Sequence, residues 1–240
     1  MDKNLANYFI TKVGVGSIHK KPGFYSDCIT ETAYGESNKI LECYKDWIYI
    51  EGEDGYKGWI NKFYGEKSFK KNNPKYYVVY PNHNGLYNPN LPFGSKVRKK
   101  IKGTIPISKM IGADSIISIA SNLLNIPYKW GGKTSLGFDC SGLVQAVLKV
   151  CGYNIPRDSY QQRDFLMDYQ IELKKTDPGD LHFFGKKGKT THVAFSTGGL
   201  GILHSQGKVK KESLGPGDDF NKNLLDLYIS SHSIHRKFSK

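Results

Sequence analysis

The two halves of the chain differ in the periodicity of their apolar residues, and this difference limits the folds available to it. From Val13 to Tyr64 short strand-like runs alternate with turn signals such as Pro22-Gly23 and Asp54-Gly55, and no helical period is present. After Ile111 the apolar residues recur at helical spacing. The pattern predicts an α+β fold, with an all-β N-terminal part and a C-terminal domain of helices packed on an antiparallel sheet.

Two amphipathic helices are predicted in the C-terminal half. The first runs from Asp114 to Asn125, with Pro127 just past its end, and the second from Cys140 to about Cys151. A cysteine in the first helical turn has backbone N–H groups and the positive end of the helix dipole at its sulfur, so the Cys140 thiolate is expected to be favoured over the thiol. Short strands are predicted at Leu181–Phe184, Val193–Ser196 and Gly201–His204.

Charge and cysteine spacing exclude several classes of site. The formal net charge is +13, but the lysines are scattered and form no helix-borne stripe, so no nucleic-acid partner is predicted and an anionic small substrate is compatible. The four cysteines are too far apart for a metal knuckle or a C-x-x-C redox pair. Cys140 and Cys151 on one helix would lie about 16 Å apart, too far for a disulfide. Free thiols fit a reducing compartment.

The N-terminal residues bear on location. The first twenty lack the basic start, the apolar stretch and the cleavage site of an export signal, and no apolar run approaches the roughly 20 residues that span a bilayer. These features predict a cytoplasmic protein with no membrane partner. A leader removed before Met1 would overturn that prediction.

Three motifs near the N-terminus occur in the order of a known small domain: Tyr34-Gly35-Glu36, Asp46 to Ile50 and Asp54 to Ile60. Together they resemble bacterial SH3 domains, which implies a small all-β barrel over residues 1–67. Residues 68–110 are predicted to form a linker plus a possible second, degenerate SH3-like barrel from Tyr76 to Ile107. Residues 111–240 form the predicted C-terminal domain.

The C-terminal half carries five motifs: Tyr128 to Gly132, Phe138 to Val144, Pro178 to Leu181, His192 to Ala194 and His204-Ser205. Together they resemble the NlpC family of papain-like cell-wall cysteine peptidases. The resemblance implies that Cys140 is the nucleophile, that His192 is the general base and later the acid, and that His204 orients His192. It also implies that the Tyr128 hydroxyl and the Cys140 backbone N–H stabilise the oxyanion. No cofactor and no metal are implied.

Family members with an N-terminal bacterial SH3 region are similar to dipeptidyl-peptidases that cleave after γ-D-glutamate in murein peptides with a free L-alanine amine. This similarity implies a murein tripeptide or tetrapeptide as substrate and a role in peptidoglycan peptide recycling. Glu36, Tyr56 and Asp139 are expected to hold the terminal ammonium, because a buried ammonium needs carboxylate and hydroxyl partners. Ser141 and Ser159 are expected to contact the D-glutamyl unit, although Ser159 is also a candidate helix N-cap. A monomer is predicted.

Several alternatives remain open from the sequence. One is a secreted endopeptidase or amidase that acts on intact peptidoglycan, with the SH3 region as a wall-binding module. A second is a catalytically silent basic binding module, and a third is an acyltransferase on the same fold. A zinc site built from Cys140, His192 and His204 is the chemical competitor, but no closely spaced ligand pair supports it. The motifs also leave open whether the third substrate residue is diaminopimelate or lysine.

Overall fold

The chain folds into two compact units, and the first of them includes a short segment from within the span of the second. A computed structural model describes residues 6–80, 82–83, 86–108 and 111–239. The first unit comprises residues 1–109 together with 130–136, and the second comprises 110–129 together with 137–240. The further division of the N-terminal part at residues 67 and 68 stays a prediction.

The first unit is built of short antiparallel strands. Turns of the predicted kind join them: Gly55 in the Asp54-Gly55 turn has φ of 79°, a left-handed conformation that favours glycine. The strands are β1 (Tyr8–Thr11), β2 (Val15–His19), β3 (Cys28–Ala33), β4 (Ser37–Tyr44), β5 (Trp47–Glu51), β6 (Lys57–Asn61), β7 (Gly65–Ser68), β8 (Tyr76–Val78), β9 (Asn82–His83), β10 (Leu86–Tyr87), β11 (Lys96–Val97), β12 (Thr104–Pro106) and β13 (Lys133–Thr134), with a 3-10 helix at Lys62–Tyr64.

The largest sheet of this unit has seven strands in the order β3-β2-β6-β5-β4-β1-β7. Alternating apolar side chains on one face form its core, namely Phe9, Ile18, Ile48, Ile50 and Ile60. Among the described residues β3 and β7 are the two ends of the sheet, and no pairing closes it. The closed SH3-like barrel is therefore not confirmed and stays a prediction.

The segment from Tyr76 to Ile107 forms a smaller sheet in which β8 pairs with both β11 and β12. Strands β9 and β10 pair with each other in a separate ladder. Residues 81, 84 and 85 of this segment lie outside the described residues. The second, degenerate barrel therefore also stays a prediction.

The second unit packs helices on an antiparallel sheet of six strands. The sheet order is β15-β20-β16-β17-β18-β19. Its elements are α1 (Ala113–Ser121), β14 (Gly137–Phe138), α2 (Cys140–Val150), α3 (Ser159–Phe165), β15 (Gln170–Ile171), β16 (Leu181–Lys186), β17 (Lys189–Gly198), β18 (Gly201–Gln206), β19 (Lys208–Ser213), α4 (Lys222–Asp226), β20 (Tyr228–His232) and α5 (Ile234–Phe238), with 3-10 helices at Met167–Tyr169 and Leu173–Lys175.

The two predicted helices are present, and one is shorter than predicted. Helix α1 ends at Ser121, four residues before the predicted end, and Asn125 has φ of 68°, a left-handed conformation that no α-helix continues through. Helix α2 begins at Cys140, as predicted, and contacts β17 and β18. No helix in the described part of the chain is both long and apolar enough to cross a bilayer.

Helix α2 is buried on nearly all of its sides. Leu143, Val144, Val147 and Leu148 are fully buried, and Ser141 and Gln145 are also buried. A helix buried all round is a central element of its domain. The first residue of this helix, Cys140, is therefore held by the core, although its own side chain is partly exposed.

Candidate active site

Cys140 is held at the N-terminus of α2 by its preceding residue. Asp139 is the N-cap, and its Oδ1 accepts a hydrogen bond from the backbone N–H of Gly142 at 2.6 Å. This cap fixes the first helical turn and with it the position of the Cys140 sulfur. Backbone N–H groups of Ser141 and Val193 also interact with that sulfur, which places it beside the strand that carries His192.

The protonation of Cys140 differs from the sequence prediction. Burial raises the pKa of the Cys140 thiol to about 11, Asp139 raises it further, and the backbone N–H groups of Val193 and Ser141 and the charge of Arg157 only partly oppose the rise. The helix N-terminus was expected to favour the thiolate. That expectation is wrong for the free protein, because desolvation by the surrounding protein disfavours the thiolate more than the backbone N–H groups favour it. In the free protein the raised pKa therefore favours the thiol form of Cys140.

His192 and His204 lie on neighbouring strands and contact each other. Strands β17 and β18 pair antiparallel, and Nε2 of His192 lies 2.9 Å from Nδ1 of His204. Burial, His204 and Lys210 together lower the pKa of His192 to about 3, although Glu212 opposes them. His192 is therefore neutral and able to accept a proton. Because Nε2 of His192 and Nδ1 of His204 are hydrogen-bonded to each other, these two nitrogens do not converge on a shared zinc ion.

Glu212 is a member of the site that the sequence did not reveal. Its Oε2 lies 2.8 Å from Nε2 of His204, and Asn221 Nδ2 donates to the same oxygen at 2.8 Å. Lys210 Nζ donates to the other oxygen at 2.9 Å. The alternation of β19 places Lys210 and Glu212 on one face of the strand. That alternation is the only sequence signal for Glu212, and it does not identify which strand is the neighbour.

Tyr128 has the protonation state that an oxyanion donor requires. Burial raises the pKa of its phenol to about 12, and the nearby Cys140 and Asp139 raise it further while Arg157 opposes them. Tyr128 therefore keeps its proton across the working pH range and can donate a hydrogen bond. Its backbone N–H donates to Gly207 O at 2.8 Å, which anchors the residue to the end of β18.

Asp139 and Ser141 belong to a buried charged network with Arg157. The guanidinium donates to both carboxylate oxygens of Asp139, at 3.0 and 2.5 Å, and to the Ser141 hydroxyl at 3.0 Å. Arg157 is only 2% exposed, so its charge depends on this bidentate pair. The network was not anticipated from the sequence. It neutralises the aspartate that was predicted to bind a substrate ammonium.

The helix after Pro156 has a different cap from the one considered in the sequence. Asp158 is its N-cap, and the Asp158 backbone N–H donates to Gln161 Oε1 at 3.3 Å. Ser159 is the first residue inside α3, so the interpretation of Ser159 as the cap is wrong. Its hydroxyl is therefore not committed to capping, and its substrate contact stays a prediction.

Glu36 and Tyr56, the other predicted substrate contacts, lie in the first unit. Glu36 is 4% exposed, and its Oε2 accepts from the Thr32 hydroxyl and the Ala33 backbone N–H, both at 3.0 Å. Lys133 Nζ lies 3.4 Å from the same oxygen. Tyr56 is half-buried and lines an open surface pocket of that unit with residues that include Trp130. Both roles stay predictions.

Alkylation of Cys140 is expected to be slow at neutral pH and to accelerate as the pH rises. The shifted pKa values of Cys140 and His192 both favour the neutral thiol and imidazole over the ion pair. Iodoacetamide labelling followed by mass spectrometry from about pH 5 to about pH 10 measures this profile, and Cys140→Ser reports the labelling of the other cysteines. A rate that is already constant from about pH 5 upward contradicts the expectation.

Comparison with known proteins identifies the second unit. The model of the NlpC/P60 family matches residues 125–225, a range that contains Tyr128, Cys140, His192, His204 and Glu212. This segment is an NlpC/P60 domain. The NlpC/P60 domain makes the protein a cysteine peptidase related to peptidoglycan peptidases.

Two curated relatives extend the similarity beyond the NlpC/P60 domain. The γ-D-glutamyl-L-lysine dipeptidyl-peptidase of Bacillus subtilis is 28% identical over 214 residues, which cover 73% of this chain and 71% of that protein. The protein of the same name from Bacillus cereus is 28% identical over 224 residues, and these cover 73% of this chain and 66% of that protein. The chain thus spans somewhat less than two thirds of the second relative.

A solved structure shares the fold of nearly the whole chain. An NlpC/P60 family protein from Bacillus cereus superposes with a TM-score of 0.78 at 17% identity, covering 94% of this chain and 99% of that one. An NlpC/P60 endopeptidase from Photobacterium damselae gives a TM-score of 0.64 at 14% identity, with 95% and 71% coverage. At these identities the likeness concerns the fold alone.

Proposed function

We propose that the protein hydrolyses the γ-D-glutamyl bond to the diamino acid in murein peptides that have a free N-terminal L-alanine. The observation that carries the proposal is the 2.9 Å hydrogen bond between His192 and His204 beside the helix that begins at Cys140. This is the arrangement of a thiol nucleophile with an oriented base. The names of the two Bacillus dipeptidyl-peptidases support the choice of bond.

The proposed reaction is acyl transfer in two steps. The Cys140 sulfur attacks the γ-carbonyl of D-glutamate while its proton passes to His192, so the pair becomes charged only as the new bond forms. His192 then protonates the leaving amine of the diamino acid, and water hydrolyses the thioester. The Tyr128 hydroxyl and the Cys140 backbone N–H donate to the oxyanion, and such a donor is worth about 2.7–4 kcal/mol in other enzymes.

Recognition of the free amine is assigned to Glu36, Tyr56 and Asp139. An ammonium is already a neighbour of Glu36, because Lys133 Nζ lies 3.4 Å from its carboxylate and 4.0 Å from that of Asp54. A substrate ammonium at Glu36 would share that carboxylate with Lys133 or displace it. Acylation of the substrate amine would remove its charge and with it the ion pairs that the amine would form with these carboxylates.

The D-glutamyl unit is assigned to the region of Ser141 and Ser159. Arg157 contacts the Ser141 hydroxyl and places a buried positive charge in that region. A positive charge suits the α-carboxylate of γ-linked D-glutamate. The formal net charge of +13 is compatible with attraction of a peptide that carries several carboxylates.

The biological setting belongs to the same proposal. A protein specific for free murein peptides would act in the cytoplasm, as a monomer, in recycling of the cell wall. The first unit would be an SH3-like module that contributes to amine recognition. In the competing function the same module binds the wall, and the enzyme is a secreted endopeptidase or amidase that accepts intact peptidoglycan.

Mass spectrometry of defined peptides tests the proposal. The substrates are L-Ala-γ-D-Glu-L-Lys and its diaminopimelate counterpart, each with a free and an acetylated N-terminus. The enzymes are the wild type, Cys140→Ala, and Cys151→Ala as a control that removes a buried thiol from the C-cap position of the same helix. We expect release of L-Ala-γ-D-Glu from the free peptides by the wild type and Cys151→Ala.

The other outcomes separate the alternatives. Equal cleavage of the acetylated peptides would replace the proposal with an endopeptidase. Release of free L-alanine would indicate an aminopeptidase that cleaves the bond between L-alanine and D-glutamate. A preference between the lysine and diaminopimelate peptides defines the third residue and does not affect the proposal.

A further inference from the structure

The hydrogen-bond chain that begins at His192 ends on a carboxylate. It runs from His192 Nε2 to His204 Nδ1, and from His204 Nε2 to Glu212 Oε2, at 2.9 and 2.8 Å. Burial raises the pKa of Glu212, but hydrogen bonds from Lys210, Asn221 and His204 outweigh burial and the net pKa is lowered. Glu212 is therefore ionised at neutral pH. An ionised carboxylate accepts hydrogen bonds and donates none.

The acceptor role of Glu212 determines which ring nitrogen carries the proton in each of the two histidines. Because Glu212 only accepts, Nε2 of His204 must carry the proton in that bond. A neutral imidazole has one N–H, so Nδ1 of His204 is an acceptor. Nε2 of His192 must then be the donor, and Nδ1 of His192 keeps its lone pair. In this tautomer Nδ1 is the nitrogen of His192 that accepts the thiol proton.

We propose that Glu212 is a positioning residue that sets the tautomer of His204 and, through it, leaves Nδ1 of His192 as the base for Cys140. The proposal rests on Cys140 and His192 being the reacting pair of the proposed function. Glu212 does not touch the substrate or the sulfur in this scheme. It acts through His204, whose ring is fully buried and shielded from bulk solvent.

The charged groups around the pair act in opposite directions. Glu212 raises the pKa of both histidines, whereas Lys210 lowers both, and burial is the largest cause of lowering in each. On the sulfur side, Asp139 raises the pKa of Cys140 and Arg157 lowers it. Glu212 thus also stabilises the imidazolium that forms on attack. Lys210 opposes this stabilisation.

Replacement of Glu212 by glutamine tests the proposal with little change of shape. Lys210 donates to one oxygen of Glu212, and Asn221 and His204 approach the other. An amide must point its NH₂ group at one of these donors. When the NH₂ group faces His204, it donates to Nε2, which reverses every hydrogen bond in the chain and puts the His192 proton on Nδ1.

The first readout is the histidine side-chain ¹⁵N NMR spectrum, which distinguishes the two tautomers and needs no substrate. In the wild type at about pH 7.5 we expect Nε2–H tautomers for both His192 and His204. In Glu212→Gln we expect a population with Nδ1–H at His192. The pKa of His204, followed in the same spectra, is expected to fall in Glu212→Gln and to rise in Lys210→Met.

The second readout is reactivity. Glu212→Gln is expected to lower both the rate of Cys140 alkylation and kcat by at least about tenfold, by analogy with other groups that orient a catalytic histidine. Glu212→Asp, which restores an acceptor, is expected to recover part of the loss. Glu172→Gln is the matched control, because Glu172 also pairs with a lysine, Lys175 at 2.7 Å, but is exposed.

Two results overturn the proposal. One is an unchanged tautomer at His192 in Glu212→Gln, whatever happens to the rate. The other is a loss of rate of equal size in Glu212→Gln and Lys210→Met with the pKa of His204 moving the same way in both, since that pattern indicates a structural defect. If the protein does not cleave murein peptides, the NMR and alkylation tests can still be carried out, because neither uses a substrate. Failure of the proposed function is therefore distinguishable from failure of the role proposed for Glu212.

Discussion

Cys140→Ser is expected to lower kcat/KM for the susceptible murein peptide by at least about 10⁴-fold, the scale of loss when a nucleophile is removed from an acyl-transfer enzyme. The reason lies in the base. The surroundings of His192 lower its pKa, and the pKa of a serine hydroxyl is far above that of a thiol, so proton transfer from serine to His192 is much less favourable. Steady-state assay of peptide cleavage by mass spectrometry measures the loss.

A second cysteine variant is the control for the loss of activity in Cys140→Ser. Cys151→Ala changes another buried thiol next to the same helix and is expected to retain activity within about threefold, because Cys151 lies at the opposite end of α2 and outside the hydrogen-bond chain. A serine variant that keeps a tenth or more of the wild-type activity would exclude Cys140 as the nucleophile.

Arg157→Met is expected to destabilise the protein by about 3–5 kcal/mol, the usual result of breaking a buried ion pair by removing one partner. The guanidinium is 2% exposed and holds both oxygens of Asp139. Without it, the Asp139 carboxylate remains at the start of α2 as a buried charge that keeps hydrogen bonds from the Gly142 backbone N–H and the Ser141 hydroxyl but has lost its ion pair. Urea denaturation followed by circular dichroism measures the free energy of unfolding.

Two further variants show whether the loss comes from the unpaired charge. Asp139→Asn in the Arg157→Met background keeps a good N-cap residue and removes the charge, so the double variant is expected to be more stable than Arg157→Met alone. Arg163→Met is the matched control, since Arg163 is less buried and donates to Thr190 and Gly188. Its expected cost is below about 1.5 kcal/mol. Equal losses in both arginine variants would contradict the buried-pair explanation.

Local patterns in the sequence predicted the elements that carry the active site. The apolar spacing after Cys140 defines a helix that begins at that residue, and β17 and β18 contain the strands predicted around Val193 and Leu203. The motifs around Tyr128 and His192 identified the family, which the match over residues 125–225 confirms. These successes share a cause, since helix period and strand alternation are read within a few consecutive residues.

The features that were missed depend on contacts between distant parts of the chain. Glu212 joins His204 only because β19 lies beside β18 in a fixed register. Arg157 pairs with Asp139 across 18 positions. The sign of the Cys140 pKa shift was mispredicted because the helix dipole is visible in the sequence, whereas the depth of burial is not.

Residues 130–136 belong to the first unit although the chain on either side of them belongs to the second. In this segment the Thr134 side chain is fully buried, the Ser135 hydroxyl accepts from the Phe93 backbone N–H at 2.9 Å, and the Lys133 backbone N–H donates to Glu31 at 3.1 Å. No single cut of the polypeptide therefore separates the two units. A fragment that starts near residue 111 would carry this segment without its partners. Recombination that replaces only the N-terminal part would have to supply a matching segment immediately before β14 and α2 as well.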